Sequence, residues 1–262
     1  KGFQWDVGVH AIGEMRPKDI PYKILNWLSG GKVEMKPLGD PFDEFRFHDG
    51  FTWALPASRE AYVAQLKSTF PEQEAGIDKY MKMIRKAVKS AMSFFAFKSM
   101  PKGIDVTGNR IKHAFGRDWW ATTTSQALDL CGIEGKLRTI LTLHWGYYGS
   151  IPDESSFAIH ALTHVHFWNG AWYPVGGSKA IAAALLGVVI DAGGECLTQA
   201  SVSELIMEGK KAVGVRMKSG EEFRAKKIVS AAGAKNTVNG LLPSPWKESP
   251  WANTIRGLKS SP

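Results

Sequence analysis

From Trp172 to Gly233 the sequence lays down an ordered run that leaves few folds open. Trp172-Tyr173-Pro174-Val175 leads into Gly176-Gly177-Ser178, and an Ala- and Leu-rich stretch over 179–192 is closed by Gly193-Gly194. Short apolar segments follow at 195–200, 202–207, 212–218, 221–225 and 227–232, with Gly209-Lys210 and Ser219-Gly220 placed as hairpin turns. A helix ending at glycine, followed by short segments at hairpin spacing, predicts a helix packed on a β-meander. Many α/β proteins contain such a unit, so the pattern alone leaves function open.

Upstream of residue 170 the texture is α+β. Phe3, Trp5, Val7 and Val9 alternate with Gln4, Asp6, Gly8 and His10, which predicts a strand over 3–12. A short helix within 17–30 is followed by a β-rich stretch over 32–56, with turns at Gly39-Asp40-Pro41 and His48-Asp49-Gly50. Ser58 is placed as the start of a helix over 58–70, and Pro71 opens a longer one running through Ile77, Tyr80, Met81, Ile84 and Val88 toward Phe97. Further helices are expected at 126–131 and 137–143. Phe157, Ile159, Ala161, Thr163, Val165 and Phe167 alternate and predict a strand over 157–167. The Pro- and Ser-rich tail, 241–262, carries no cap or core signal.

The net charge of +8 favours acidic partners such as anionic lipid or phosphorylated cofactors. Nucleic acid is not expected, because the basic residues are dispersed and no nucleic-acid module is visible. Cys131 and Cys196 lack metal spacing and point to a reducing, cytoplasmic setting. No apolar run is long enough to span a bilayer, and no signal peptide opens the chain. The lack of an initiator Met and the strand-like opening lead one to expect a piece of a longer chain.

The run from Trp172 to Ala234 resembles the FAD-domain segment of the phytoene desaturase, carotenoid isomerase and retinol saturase family. The carriers are Pro174-Val175-Gly176-Gly177, the helix, Val202, Val213-Gly214-Val215, the hairpin, and the small residues Ala231-Ala232-Gly233. Asp6-Val7-Gly8-Val9-His10 looks like the family's Asp-x-Gly-x-His strand. Gly39-Asp40-Pro41-Phe42-Asp43 and the stretch from Tyr148 to Trp172 are similar to the retinol saturase branch.

The resemblance covers most of residues 1–240. It implies an α/β (α+β) chain forming part of a two-domain FAD/NAD(P)-binding flavoprotein fold. Residues 1–170 would be a substrate-binding, membrane-facing region. Residues 171–240 would be the helix-and-meander part of the FAD domain, and 241–262 would re-enter the substrate domain. The N-terminal Rossmann βαβ unit is not expected here, since no Gly-x-Gly-x-x-Gly occurs. Its implied activity is FAD-dependent oxidoreduction, or redox-neutral isomerisation, at carbon–carbon double bonds of a polyene or isoprenoid lipid, with NAD(P) a candidate electron donor.

By the same resemblance, Gly8, Val9 and His10 lie beside the flavin ring, Val202 meets the adenine, and Ala231, Ala232 and Gly233 lie near the adenosine and pyrophosphate. Gly176-Gly177-Ser178 reads as a structural turn, with Ser178 capping the helix. No catalytic base is assigned, because the cofactor carries the chemistry.

His160, His164 and His166 fall on one face if 157–167 is a strand. Three imidazoles could hold zinc or iron, but only Asp153 and Glu154 offer carboxylates nearby, which favours a packed or substrate-facing strand over a metal site. His160 is the candidate to face substrate. Lys79, Lys82, Arg85, Lys86 and Lys89 line one side of the long helix. They fit a solvated face or a peripheral membrane contact. A non-catalytic lipid-binding domain and a His-based metal enzyme are the rival readings.

Overall fold

The computed structural model describes residues 2, 6, 8, 10–100 and 117–259. The chain is α+β, combining helices with small antiparallel sheets, and it divides into two compact units, 1–192 and 193–262.

The first unit is organised around a long helix. Helix α1 (Ile20–Leu28) is followed by strands β1 (Met35–Pro37), β2 (Asp43–Arg46) and β3 (Thr52–Leu55), then by α2 (Arg59–Thr69) and α3 (Glu74–Lys98). Ser58 caps α2, its hydroxyl accepting from the Ala61 N–H. In α3 the buried residues Ile77, Tyr80, Met81, Ile84, Ala87 and Ala91 recur at helical spacing. Lys82, Arg85, Lys86 and Lys89 are exposed on the other side.

The next helices are α4 (Thr124–Cys131), α5 (Gly135–Thr142), the single turn α6 (Trp145–Tyr148) and α7 (Phe157–His166). Thr123 and Gln126 form a capping box that fixes where α4 begins. The buried face of α3 packs on α4 and α7, and Trp53, Leu66, Leu128, Leu137, Leu141 and Phe157 complete the core.

Strand β4 (Trp172–Pro174) pairs with β1, and Trp172 also bridges Ile12. Helix α8 (Ser178–Asp191) packs on β4. The segments on both sides of residue 170 therefore belong to one compact unit.

The second unit holds the antiparallel meander β5 (Val202–Glu208), β6 (Lys211–Met217) and β7 (Glu222–Arg224). On one face Arg216 pairs with Glu204 at 2.7 Å and with Glu222 at 3.0 Å across the strands. On the other face Leu205 and Val215 stand opposite each other. Short helices α9 (Ala234–Asn236) and α10 (Pro250–Gly257) follow.

Several sequence expectations are corrected. Residues 157–167 form helix α7 rather than a strand, because Phe157, Ala158, His160, Ala161 and His164 make a buried stripe facing α3. Residues 195–200 and 227–232 are not strands. They are almost wholly exposed, and Val229 is 92% exposed, so no neighbouring strand pairs with them among the described residues. The tail does carry a cap: Ser249 accepts from the Ala252 N–H, with Pro250 in the first turn of α10. The strand expected over 3–12 falls partly outside the described residues. Of the described ones, Ile12 pairs with Trp172, while Asp6, Gly8 and His10 take no strand pairing.

Candidate functional site

Two places in the fold gather residues with chemical potential, one in each unit. The first is an apolar cavity lined by Phe42, Leu55, Pro56, Tyr62, His144, His164, Phe167 and Trp168. Its interior admits about one water-sized group. Helix α7 supplies His164 one turn after His160, and the residue before α6 supplies His144.

His160 is fully buried and does not line the cavity. Its Nε2 lies 2.7 Å from the Tyr80 hydroxyl, and its Nδ1 lies 3.0 Å from the Tyr148 hydroxyl. Both ring nitrogens are thus satisfied. His164 is the reverse case, since it is buried and neither nitrogen has a hydrogen-bond partner among the described residues. His144 Nε2 and Trp168 Nε1 are likewise unpartnered. An unpaired buried polar atom costs about 1–3 kcal/mol, so these groups line the wall at an energetic disadvantage that a hydrogen-bonding guest would relieve.

Burial sets the protonation of the cluster. Desolvation pushes His144 down to about 4 and His160 down to about 3, and His164 falls well below the ordinary imidazole range. All three are neutral near pH 7. His166, the third histidine of the expected face, points elsewhere. Its Nε2 accepts from the Gly13 N–H at 2.8 Å, and its Nδ1 lies 3.1 Å from Glu14. It anchors the chain just after His10. Among the described residues no group of His, Cys, Asp and Glu side chains is arranged to hold a metal ion.

The N-terminal segment meets this cavity through aromatic rings. His10 is exposed, and its ring centre lies 4.4 Å from that of Tyr147. Tyr147 stacks on His144 at 5.5 Å, and His144 lies 6.1 Å from His164. Gly8 has φ +84° and no atom near the place where a side chain would start. Val9 lies outside the described residues.

Asp6 was not singled out as a site residue from the sequence, and it ties the segment down. Its Oδ2 accepts from the Tyr173 hydroxyl at 2.6 Å and from the Ser178 N–H at 2.9 Å. The hydrogen bond from Tyr173, then that from Ser178, lowers its pKa. The start of α8 is therefore capped by Asp6 and not by the Ser178 side chain as expected. Gly177 is required there: it has φ +83°, and a Cβ would lie 2.8 Å from Asp6 Oδ2.

The second place is a groove of about 430 Å³ on the meander, within the size range of small-molecule sites. Val202, Leu205 and Val215 contribute from the sheet, Ile228 to Ala232 from the irregular segment, and Lys218 lies at its edge. Three residues singled out in the sequence, Val202, Ala231 and Ala232, share this one groove. Gly233 follows at φ +87° and precedes α9.

No protein-family model matches the chain. Similarity to known proteins is nonetheless extensive. Over 256 residues, 93% of this chain and 42% of the relative, it is 32% identical to all-trans-retinol 13,14-reductase of Danio rerio. It is 33% identical to the Homo sapiens protein of that name over 253 residues, 92% of this chain and 42% of the relative. Phytoene desaturase (neurosporene-forming) of Cereibacter sphaeroides is 31% identical over 248 residues, 92% of this chain and 46% of that protein. The chain thus spans less than half the length of these curated relatives. Along the residues matched, it belongs to the family that includes the all-trans-retinol 13,14-reductases and the phytoene desaturases.

Proposed function

We propose that the whole protein is an FAD-dependent oxidoreductase acting on carbon–carbon double bonds of a polyene or isoprenoid lipid. Saturation and desaturation fall within this reading, as the names of its relatives indicate, and so does redox-neutral isomerisation by the same flavin. The observation that carries it is the groove shared by Val202, Ala231 and Ala232 in a chain of this family. Small side chains at 231 and 232 keep one wall open to a flat group. Lys218 at the edge supplies a positive charge suited to a diphosphate.

Ala231, Ala232 and Val202 would hold the adenosine end of FAD, and Gly233 would lie near its pyrophosphate. Gly8, Val9 and His10 would lie beside the ring. Once bound, the flavin supplies the two-electron chemistry, with NAD(P) a candidate electron donor. The residues of the chain orient and desolvate. Phe42, Leu55 and Phe167 line the cavity with hydrocarbon, and the neutral imidazoles of His144 and His164 add no charge to it. In this reading the substrate-facing role passes from His160 to His164.

The test is the flavin content of the purified full-length protein and of its Ala232→Glu variant. Wild type retains FAD near one per chain, and the variant loses it at least tenfold while its apoprotein melts at the temperature of the wild-type apoprotein. Equal flavin content in both would contradict the groove assignment.

A further inference from the structure

A carboxylate beside an imidazole ordinarily marks a general base, because the carboxylate orients the ring and leaves its far nitrogen free to take a proton. Glu14 and His166 form such a couple, with Glu14 Oε2 3.1 Å from His166 Nδ1. Here the far nitrogen is already spent, since Nε2 accepts from the Gly13 N–H at 2.8 Å. In a neutral ring one nitrogen donates and the other accepts, so the tautomer is fixed with Nδ1–H donating to Glu14. The couple holds backbone instead of reacting.

The surroundings reinforce that hold. Gly13 approaches His166 so closely that a Cβ would fall 1.8 Å from the His166 carbonyl oxygen. Glu14 has φ +53°, a left-handed conformation that a non-glycine residue keeps only where its neighbours over-determine it. Next to it the Ile12 N–H donates to the Trp172 carbonyl at 2.9 Å, and the Trp172 N–H donates to the Ile12 carbonyl at 2.8 Å. Farther up the chain Asp6 accepts from Tyr173 and Ser178. Both ends of this segment are thus tied to the stretch between His166 and Ser178. Gly8 and His10 lie between the ties and take no strand pairing themselves.

We infer that His166 and Glu14 are positioning residues for the flavin: through Gly13 they fix the backbone that carries His10 and Gly8, without touching the ring themselves. The inference rests on the reading above that Gly8, Val9 and His10 lie beside the flavin. It extends that site to two residues that act from behind it.

The test compares full-length wild type with His166→Leu, His166→Gln and Glu14→Asn. Leu removes both hydrogen bonds, whereas Gln keeps an acceptor for the Gly13 N–H. Asn tolerates the left-handed backbone at 14 while removing the carboxylate, so it reports even if His166→Leu fails to fold. Two quantities are read: hydrogen exchange at the Gly13 amide in the flavin-stripped protein, and the visible band and fluorescence of each bound flavin. In His166→Leu and Glu14→Asn the amide exchanges at least about tenfold faster and the flavin band and fluorescence shift; His166→Gln returns both toward wild type. Unchanged exchange overturns the hold on Gly13. Faster exchange with an unmoved flavin signal makes the couple purely structural and overturns the positioning role. In either case a wild type that carries flavin leaves the reading above intact. A wild type without flavin overturns that reading and this inference with it.

Discussion

His144, His160 and His164 are three basic groups held neutral by burial, and that has a consequence for stability. An ordinary imidazole takes up a proton near pH 6.5. In the folded chain His144 waits until about 4 and His160 until about 3. Between those limits the unfolded state binds more protons than the folded one, so stability falls as pH falls through the window. Each histidine contributes a slope of about 1.4 kcal/mol per pH unit. Urea unfolding at pH 7, 6 and 5 should show the midpoint dropping steeply below 6.5, and His144→Phe should flatten the slope by about one histidine's share. A midpoint constant over that range would contradict the burial of the cluster. Little of this cluster was legible in the sequence. The histidine spacing marked the segment, but which imidazole lines a cavity depends on Tyr80 and Tyr148, which reach His160 from other helices. Asp6 was hidden for the same reason: its partner Ser178 lies 172 positions away.

Helix α3 is legible in the sequence because its apolar stripe is long and strongly periodic. Helix α7 looks like a strand in the sequence because alternate residues of 157–167 are apolar, and the histidines on its buried face are polar by type. Partners decide such cases, and the partner that α7 packs against is α3. The closeness of these helices gives a prediction. A Cβ at Gly76 in α3 would lie 2.7 Å from the Cys131 carbonyl oxygen at the end of α4. Gly76→Ala should therefore destabilise by about 1–3 kcal/mol through overpacking, although alanine favours a helix by about 1 kcal/mol. Denaturant midpoints decide the sign.

At its far end α3 exposes Met92 and Phe95, while Phe94 and Phe95 pack on Trp120. With the exposed Lys82, Arg85, Lys86 and Lys89, this supports a peripheral contact with anionic lipid. Changing those four residues to Gln should lower sedimentation with phosphatidylserine liposomes several-fold, and unchanged sedimentation would count against the contact. No helix among the described residues is long and apolar enough to cross a membrane.

At the scale of the whole molecule, sequence order carried more than local pattern. The meander was legible because Gly209-Lys210 and Ser219-Gly220 punctuate it, and its turns fall where expected. The outer segments 195–200 and 227–232 have the look of strands in the sequence, but strand propensity alone does not supply a pairing partner. Even so, residues 228–232 and Val202 come together on one groove. Flavin chemistry on a polyene should be visible in the absorption spectrum of the full-length protein. A flavin band at about 450 nm is expected, with an intensity that changes, under anaerobic conditions, when all-trans-retinol is added to the oxidised or the reduced protein. A colourless protein, or a band indifferent to the polyene in both redox states, would contradict it.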